Sequence, residues 1–224
     1  MDKDVMETSH RKVFREEIRN AIREAIFSGE LNPGDRIIET YWAKELGVSQ
    51  GPVREAIRDL EAQGLVETVP FKCSRVRSLS EKDVRDNYSV RICLESKSIR
   101  DAITLLTDEQ MEGLTARFKE ILEEMDGCAK RGDLRAFTEC DTAFHRAIID
   151  ATGNQVLLRL WEQCNMRNWL IVPALTNAES LLQLQSGHQH ICQAICAKDV
   201  KEATSTLEDH LTDLMDGFIR GMQP

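Results

Sequence analysis

Apolar residues recur along this chain mostly at helical spacing. Between residues 11 and 28, Val13 or Phe14, Ile18, Ala21 or Ile22, and Ala25 or Ile26 mark one face of a helix. Ser28-Gly29 ends it, and Asn32-Pro33-Gly34-Asp35 makes a turn. A short helix is expected from Glu39 to Leu46, closed by Gly47. A further helix runs from Gln50 to about Gln63, with Ser49 as its N-cap and Pro52 in its first turn, where a missing N–H costs nothing. Leu65 to Val69 and Arg75 to Leu79 are β-prone, with a turn between them. From Ser80 onward the pattern is helical throughout, over 80–106, 107–131, 133–151, 154–172, 179–197 and 199–217. Thr107-x-x-Gln110 has the form of a capping box, and Gly132-Asp133, Gly153-Asn154 and Lys198-Asp199 are breaks followed by caps. The expected fold is mainly α. Residues 8–78 form a winged helix-turn-helix of three helices and a two-stranded β wing, and residues 79–224 form an antiparallel bundle of six to seven helices.

Composition narrows the class. With 42% hydrophobic and 30% charged residues, the 224-residue chain reads as a globular protein. Its apolar runs are only a few residues long, so no membrane span is expected. The opening MDKDVMETSHRKVF lacks the apolar core of a secretion signal. Seven cysteines, an odd number, read as reduced thiols of a cytoplasmic protein. The net charge of −9 at first argues against nucleic acid, but it is unevenly spread. Residues 1–78 carry 13 Lys and Arg against 14 Asp and Glu, while residues 79–224 carry 16 against 24. Local basic clusters, not the sum, decide affinity for DNA. They occur at Arg11 to Arg19, at Arg54 and Arg58, and at Lys72 to Arg77.

A short helix, Gly-Val-Ser and a second helix form the helix-turn-helix pattern, in which the second helix presents its first residues to a major groove. Those residues are Ser49, Gln50 and Gly51, with Arg54 and Arg58 following on one face. Val53, Ala56, Ile57 and Leu60 fall on the opposite, core side. The run Gly47-Val48-Ser49-Gln50-Gly51-Pro52-Val53-Arg54-Glu55-Ala56-Ile57, with Leu60-Glu61 and Gly64-Leu65-Val66, resembles the GntR family of bacterial transcription regulators. Val90-Arg91-x-x-Leu94-Glu95 resembles the start of the all-helical effector domain of its FadR subfamily, and the resemblance spans about residues 10–215. It implies DNA contacts by Ser49, Gln50, Gly51, Arg54 and Arg58, together with Thr40 and the wing residue Lys72. Gln50 and Gly51 stand where the family usually has Arg and Thr. An amide pairs with adenine where an Arg favours guanine, so the operator is expected to differ from the family's common half-site.

In the second part, Asp141 and His145 lie four apart on one helix, about 40° apart around its axis, and His188 and His210 lie on two later helices. Three histidines and a carboxylate converging from three helices suit a metal, although single histidines on helices are mostly structural or exposed. The FadR-type effector domain has a metal motif similar to Asp141-x-x-Phe144-His145 and to His188-x-x-Ile191-x-x-Ala194-Ile195 followed by His210-Leu211. The resemblance thus implies a divalent metal on Asp141, His145, His188 and His210. Zinc is the default, with nickel or manganese as alternatives. His190, about 200° around the helix from His188, matches no ligand position.

In the subfamily that the chain resembles, such sites lie under the effector pocket, so the resemblance implies an organic-acid effector. Arg91 offers a bidentate fork for its carboxylate, or else pairs with Glu95 on an exposed face, and Arg167 is a weaker candidate. The expectation is therefore a regulator, not an enzyme; the alternatives are the same fold with a purely structural metal and a non-carboxylate effector, or a metal-dependent enzyme. The regulator would work as a homodimer on a palindromic operator, with a small carboxylate setting its affinity for double-stranded DNA.

Overall fold

The computed structural model describes the backbone of residues 3–69, 73–165 and 178–222. The chain divides into two compact units, Met1–Leu79 and Ser80–Pro224.

In the first unit, α1 (Lys3–Phe27), α2 (Glu39–Glu45) and α3 (Gln50–Ala62) pack beside a small sheet. Ile18, Ile22 and Ile26 of α1, Trp42 of α2, and Val53, Ala56, Ile57 and Leu60 of α3 close the core. Each of the Val, Ile and Leu side chains among these contributes about 1.5–3 kcal/mol on burial. The turn between α2 and α3 depends on Gly47, whose φ of 66° few side chains tolerate. The wing differs from expectation. The sheet has three antiparallel strands in the order β1-β3-β2: β1 (Arg36–Ile37), β2 (Val66–Val69) and β3 (Cys73–Val76). The extra strand forms because Ile37 is buried at the end of the Asn32–Asp35 turn, which brings Arg36 and Ile37 alongside Arg75 and Ser74.

The second unit contains, among the described residues, six helices: α4 (Glu81–Leu105), α5 (Asp108–Arg131), α6 (Leu134–Ala151), α7 (Gln155–Asn165), α8 (Ala178–Cys196) and α9 (Val200–Gly221). Their starts are encoded locally. Thr107 and Gln110 form the expected capping box, Ser80 and Asp83 form another, and Asp133 and Asp199 cap α6 and α9. Helix α9 packs on α4 and α8, α5 on α6 and α8, and α6 on α4 and α7. The buried faces of α6, α8 and α9 meet in the interior. No helix among the described residues is long and apolar enough to cross a membrane.

Candidate functional site: metal centre and nucleic-acid interface

Helix α6 brings Asp141 and His145 into the interior, α8 brings His188 and α9 brings His210, all four buried. One candidate ligand atom from each lies within 4.8 Å of the others. Phe144 packs edge-on against His145 and His188, at 5.6 and 4.9 Å between ring centroids, and gives the cluster an apolar wall. His210 lies against α8 at Gly187, where an added Cβ would stand 2.5 Å from its Nδ1.

The rings are oriented from outside the cluster. His145 Nδ1 donates to Glu95 Oε2 at 2.6 Å, and His188 Nδ1 donates to the Leu184 carbonyl at 2.8 Å. Each Nε2 is thereby left as a lone pair directed inward, the arrangement that metal-ligating histidines require. His188 Nε2 faces Asp141 Oδ1 at 3.1 Å. With Nδ1 already protonated, two acceptors oppose each other there unless a proton or a cation lies between them. Two ligands about 2.1 Å from one cation stand roughly 3–3.4 Å apart, so the spacing suits a shared metal. His145 Nε2, His210 Nε2 and Asp141 Oδ2 are buried without a hydrogen-bond partner. The donor set therefore fits a divalent ion.

Glu95 organises the surroundings. Its carboxylate accepts from Arg91 Nε at 2.6 Å and Trp161 Nε1 at 2.8 Å, besides His145. Burial alone would raise its pKa, but Arg91, His145 and the Trp161 N–H hold it down at about 2. Asp141 is likewise held well below the carboxylate range against its burial, by His188, His145 and Arg91.

Arg91 is paired with Glu95 as the sequence allowed, but in the interior, not on an exposed face. The pairing uses only Nε, and Nη1 and Nη2 remain buried and unpartnered. Arg91's charge reaches Asp141 and His210. Asn87 Nδ2, the Tyr88 hydroxyl and Gln185 Nε2 are among the other buried polar atoms of this unit without a hydrogen-bond partner. Sequence reasoning missed them and Trp161. Their signal was the three- and four-residue spacing from Arg91 and His188. Arg167 lies outside the described residues. His190 is exposed and lines an open groove of about 530 Å³ between α8 and α9, whose lining also includes Gly187 and His210.

Burial lowers His210 well below the ordinary histidine value, and it lowers His188 despite Asp141. In the metal-free protein, the unfolded chain then gains protons before the folded one as pH drops through about 6.5. Stability is full above that pH and declines below it. The urea midpoint of metal-free protein is expected to be lower at pH 5.5 than at pH 7.5, and equal midpoints would contradict the burial of neutral imidazoles.

In the first unit, Ser49 occupies the N-cap of α3 without making a side-chain capping bond. Ser49, Gln50, Gly51, Arg54 and Arg58 are all exposed, as is Thr40 on α2. The Arg54 guanidinium is held by Glu39, with Nη2 donating at 2.8 Å. Lys72 lies outside the described residues.

A winged helix-turn-helix followed by a separate helical domain is the architecture of a DNA-binding regulator. Residues 14–76 match the family described as bacterial regulatory proteins, gntR family, and residues 86–213 match the FCD domain. The "Probable D-xylose utilization operon transcriptional repressor" of Paenarthrobacter nicotinovorans is 32% identical over 197 residues, covering 87% of this chain and 84% of the relative. The gluconate operon transcriptional repressor of Bacillus subtilis is 26% identical over 201 residues, covering 87% and 81%. The solved structure of Escherichia coli McbR/YncC shares the fold, with a TM-score of 0.73 at 23% identity over 89% of this chain and 94% of that one. The chain belongs to the GntR family of bacterial transcription regulators, in the branch that carries an FCD domain. It is a DNA-binding transcriptional regulator and not an enzyme.

Proposed function

We propose that this regulator binds a palindromic operator as a homodimer, and that its affinity is set by a small carboxylate bound at a divalent metal in the second unit. The observation that carries this reading is the pattern of unsatisfied buried atoms. Asp141 Oδ2, His145 Nε2 and His210 Nε2 converge where a cation would sit, and Arg91 Nη1 and Nη2 are kept free nearby. Orphaned groups of this kind cost about 1–3 kcal/mol each unless a ligand satisfies them. Zinc suits one carboxylate and three imidazoles, and nickel and manganese are the alternatives. When bound, the metal supplies a Lewis-acidic anchor for an acid. Arg91 adds a two-point fork for a carboxylate, and Glu95 fixes both Arg91 and His145. The name of one relative, a gluconate operon repressor, fits an acid as the signal.

The acid would shift the balance between arrangements of the DNA-binding units by the difference in its affinity for them. A dimer is required because two recognition helices reach half-sites about one DNA turn apart. Such a regulator works in the cytoplasm, where chromosomal DNA lies.

The test is a thermal-shift screen of small carboxylic acids with and without chelator, followed by operator binding with each hit. A hit abolished by chelator and by His210→Ala, and altering operator affinity, supports the reading. If chelator lowers the melting point while no acid shifts it, the metal is structural only.

At the DNA face, the exposed amide of Gln50 and the exposed Arg58 have separable roles. Replacing Gln50 with Arg is expected to move the preference at one base from adenine to guanine by about 1–3 kcal/mol. Arg58→Ala should weaken all sequences alike and reduce the salt slope by about one. Binding assays on operator variants at several salt concentrations check both, and an unchanged base preference in Gln50→Arg would remove Gln50 from the reading set.

A further inference from the structure

One helical turn from the ligands lies a second layer of buried polar atoms without partners. On α4 these are Asn87 Nδ2, four residues before Arg91, and the hydroxyl of Tyr88, three before it, whose ring centroid lies 5.7 Å from the Arg91 guanidinium carbon. On α8 it is Gln185 Nε2, three residues before His188. Residues three or four apart share a helix face, so Asn87 and Tyr88 extend the face of Arg91, and Gln185 extends that of His188.

The helix directions place these groups at one level along the bundle. Helix α9 turns back on α8 through the short connection at Ala197–Asp199. It also runs antiparallel to α4, because Asp216 near its end pairs with Arg85 near the start of α4 at 3.7 Å. Moving toward the N-terminus of α4 and toward the N-terminus of α8 is therefore movement in one direction along the bundle. Asn87, Tyr88 and Gln185 stand on the same side of Arg91 and His188, about 5 Å away along the axis.

Their chemistry differs from that of the first layer. The ligand layer combines lone pairs with a cation-binding geometry, whereas the second layer offers two amide N–H groups and a hydroxyl. Buried donors left open call for an acceptor, and an ammonium group has none to give.

We infer that Asn87, Tyr88 and Gln185 receive a second, acceptor-only end of the effector, which is an α,ω-dicarboxylate of about four to six carbons, the span of one helical turn. This inference rests on the metal and Arg91 reading of the first layer. One carboxylate sits at the metal and Arg91, and the other reaches the amides. A site built with buried donors rejects an analogue that leaves them unpaired, so a monocarboxylate of equal length binds poorly.

Isothermal calorimetry on the zinc-loaded full chain tests this with butanedioate, pentanedioate and hexanedioate, each beside the monocarboxylate of equal length. The best diacid is expected to bind at least tenfold more tightly than its monoacid. Asn87→Leu and Gln185→Leu should each bring that ratio toward one. Each should also leave the ligand-free melting point unchanged or higher, because a buried unpaired amide is removed. A structural role for either amide would instead lower it. Equal binding of diacids and monoacids, both abolished by chelator, would overturn this inference and leave the metal and Arg91 reading standing. A preference that survives both leucine variants would also overturn it, and binding by neither series would overturn the two together.

Discussion

Glu95→Ala is expected to destabilise the second unit by about 3–5 kcal/mol, the typical cost of breaking a buried ion pair from one side. Glu95 is fully buried and serves three donors at once: Arg91, Trp161 and His145. Alanine leaves a guanidinium without its counter-ion, an indole N–H without an acceptor and an imidazole without its orienting bond. For a unit of this size the melting point should fall by about 10 °C. Glu95→Gln separates the two consequences. Its amide oxygen still serves Arg91 and Trp161, but its NH₂ opposes His145 Nδ1–H. That conflict favours the tautomer with the proton on Nε2, which cannot ligate. The glutamine variant is expected to fold yet to lose about 10–100-fold in metal affinity. Denaturation curves and metal titrations read both, and an alanine variant within 1 kcal/mol of the parent would refute the role given to Glu95.

Divalent metal should produce the second large effect. At free zinc about 1,000 times the dissociation constant, a site present only in the folded state adds about 4.1 kcal/mol. That corresponds to a rise of roughly 8–16 °C in melting temperature. Asp141→Ala and His188→Ala should abolish the rise. Both also remove one partner of the 3.1 Å contact between Asp141 and His188, so their metal-free stabilities serve as the baseline. Identical melting of chelator-treated protein with and without zinc would rule out the four-residue ligand set.

Much of this architecture is legible in the sequence because its signals are local. The caps at Thr107, Asp133 and Asp199 lie within a turn of the helices they begin, and periodicity alone sorted Val53, Ala56, Ile57 and Leu60 from the exposed Arg54 and Arg58. The four convergent residues were legible through their resemblance to a family motif, since their spacing alone also allowed scattered structural histidines. What escaped was set by packing between distant segments. Trp161 meets Glu95 across 66 residues, and His145 meets it across 50. No periodicity in one helix reveals which face of another will lie against it. Arg36 and Ile37 escaped for a different reason: two residues are too few to carry an alternating pattern, and only the partner strand makes them a strand.

The bond from the Trp161 indole to Glu95 also gives the molecule an optical reporter. An indole that is buried and hydrogen-bonded to a carboxylate has an emission spectrum sensitive to that carboxylate's charge and position. Glu95 in turn touches His145 and Arg91, so a metal or acid bound beside them is expected to change Trp161 fluorescence. The chain has three tryptophans, and Trp42 and Trp169 are the two to replace with phenylalanine for a single-emitter form. Loading and release could then be followed in real time without any attached dye, on the same sample used for operator binding.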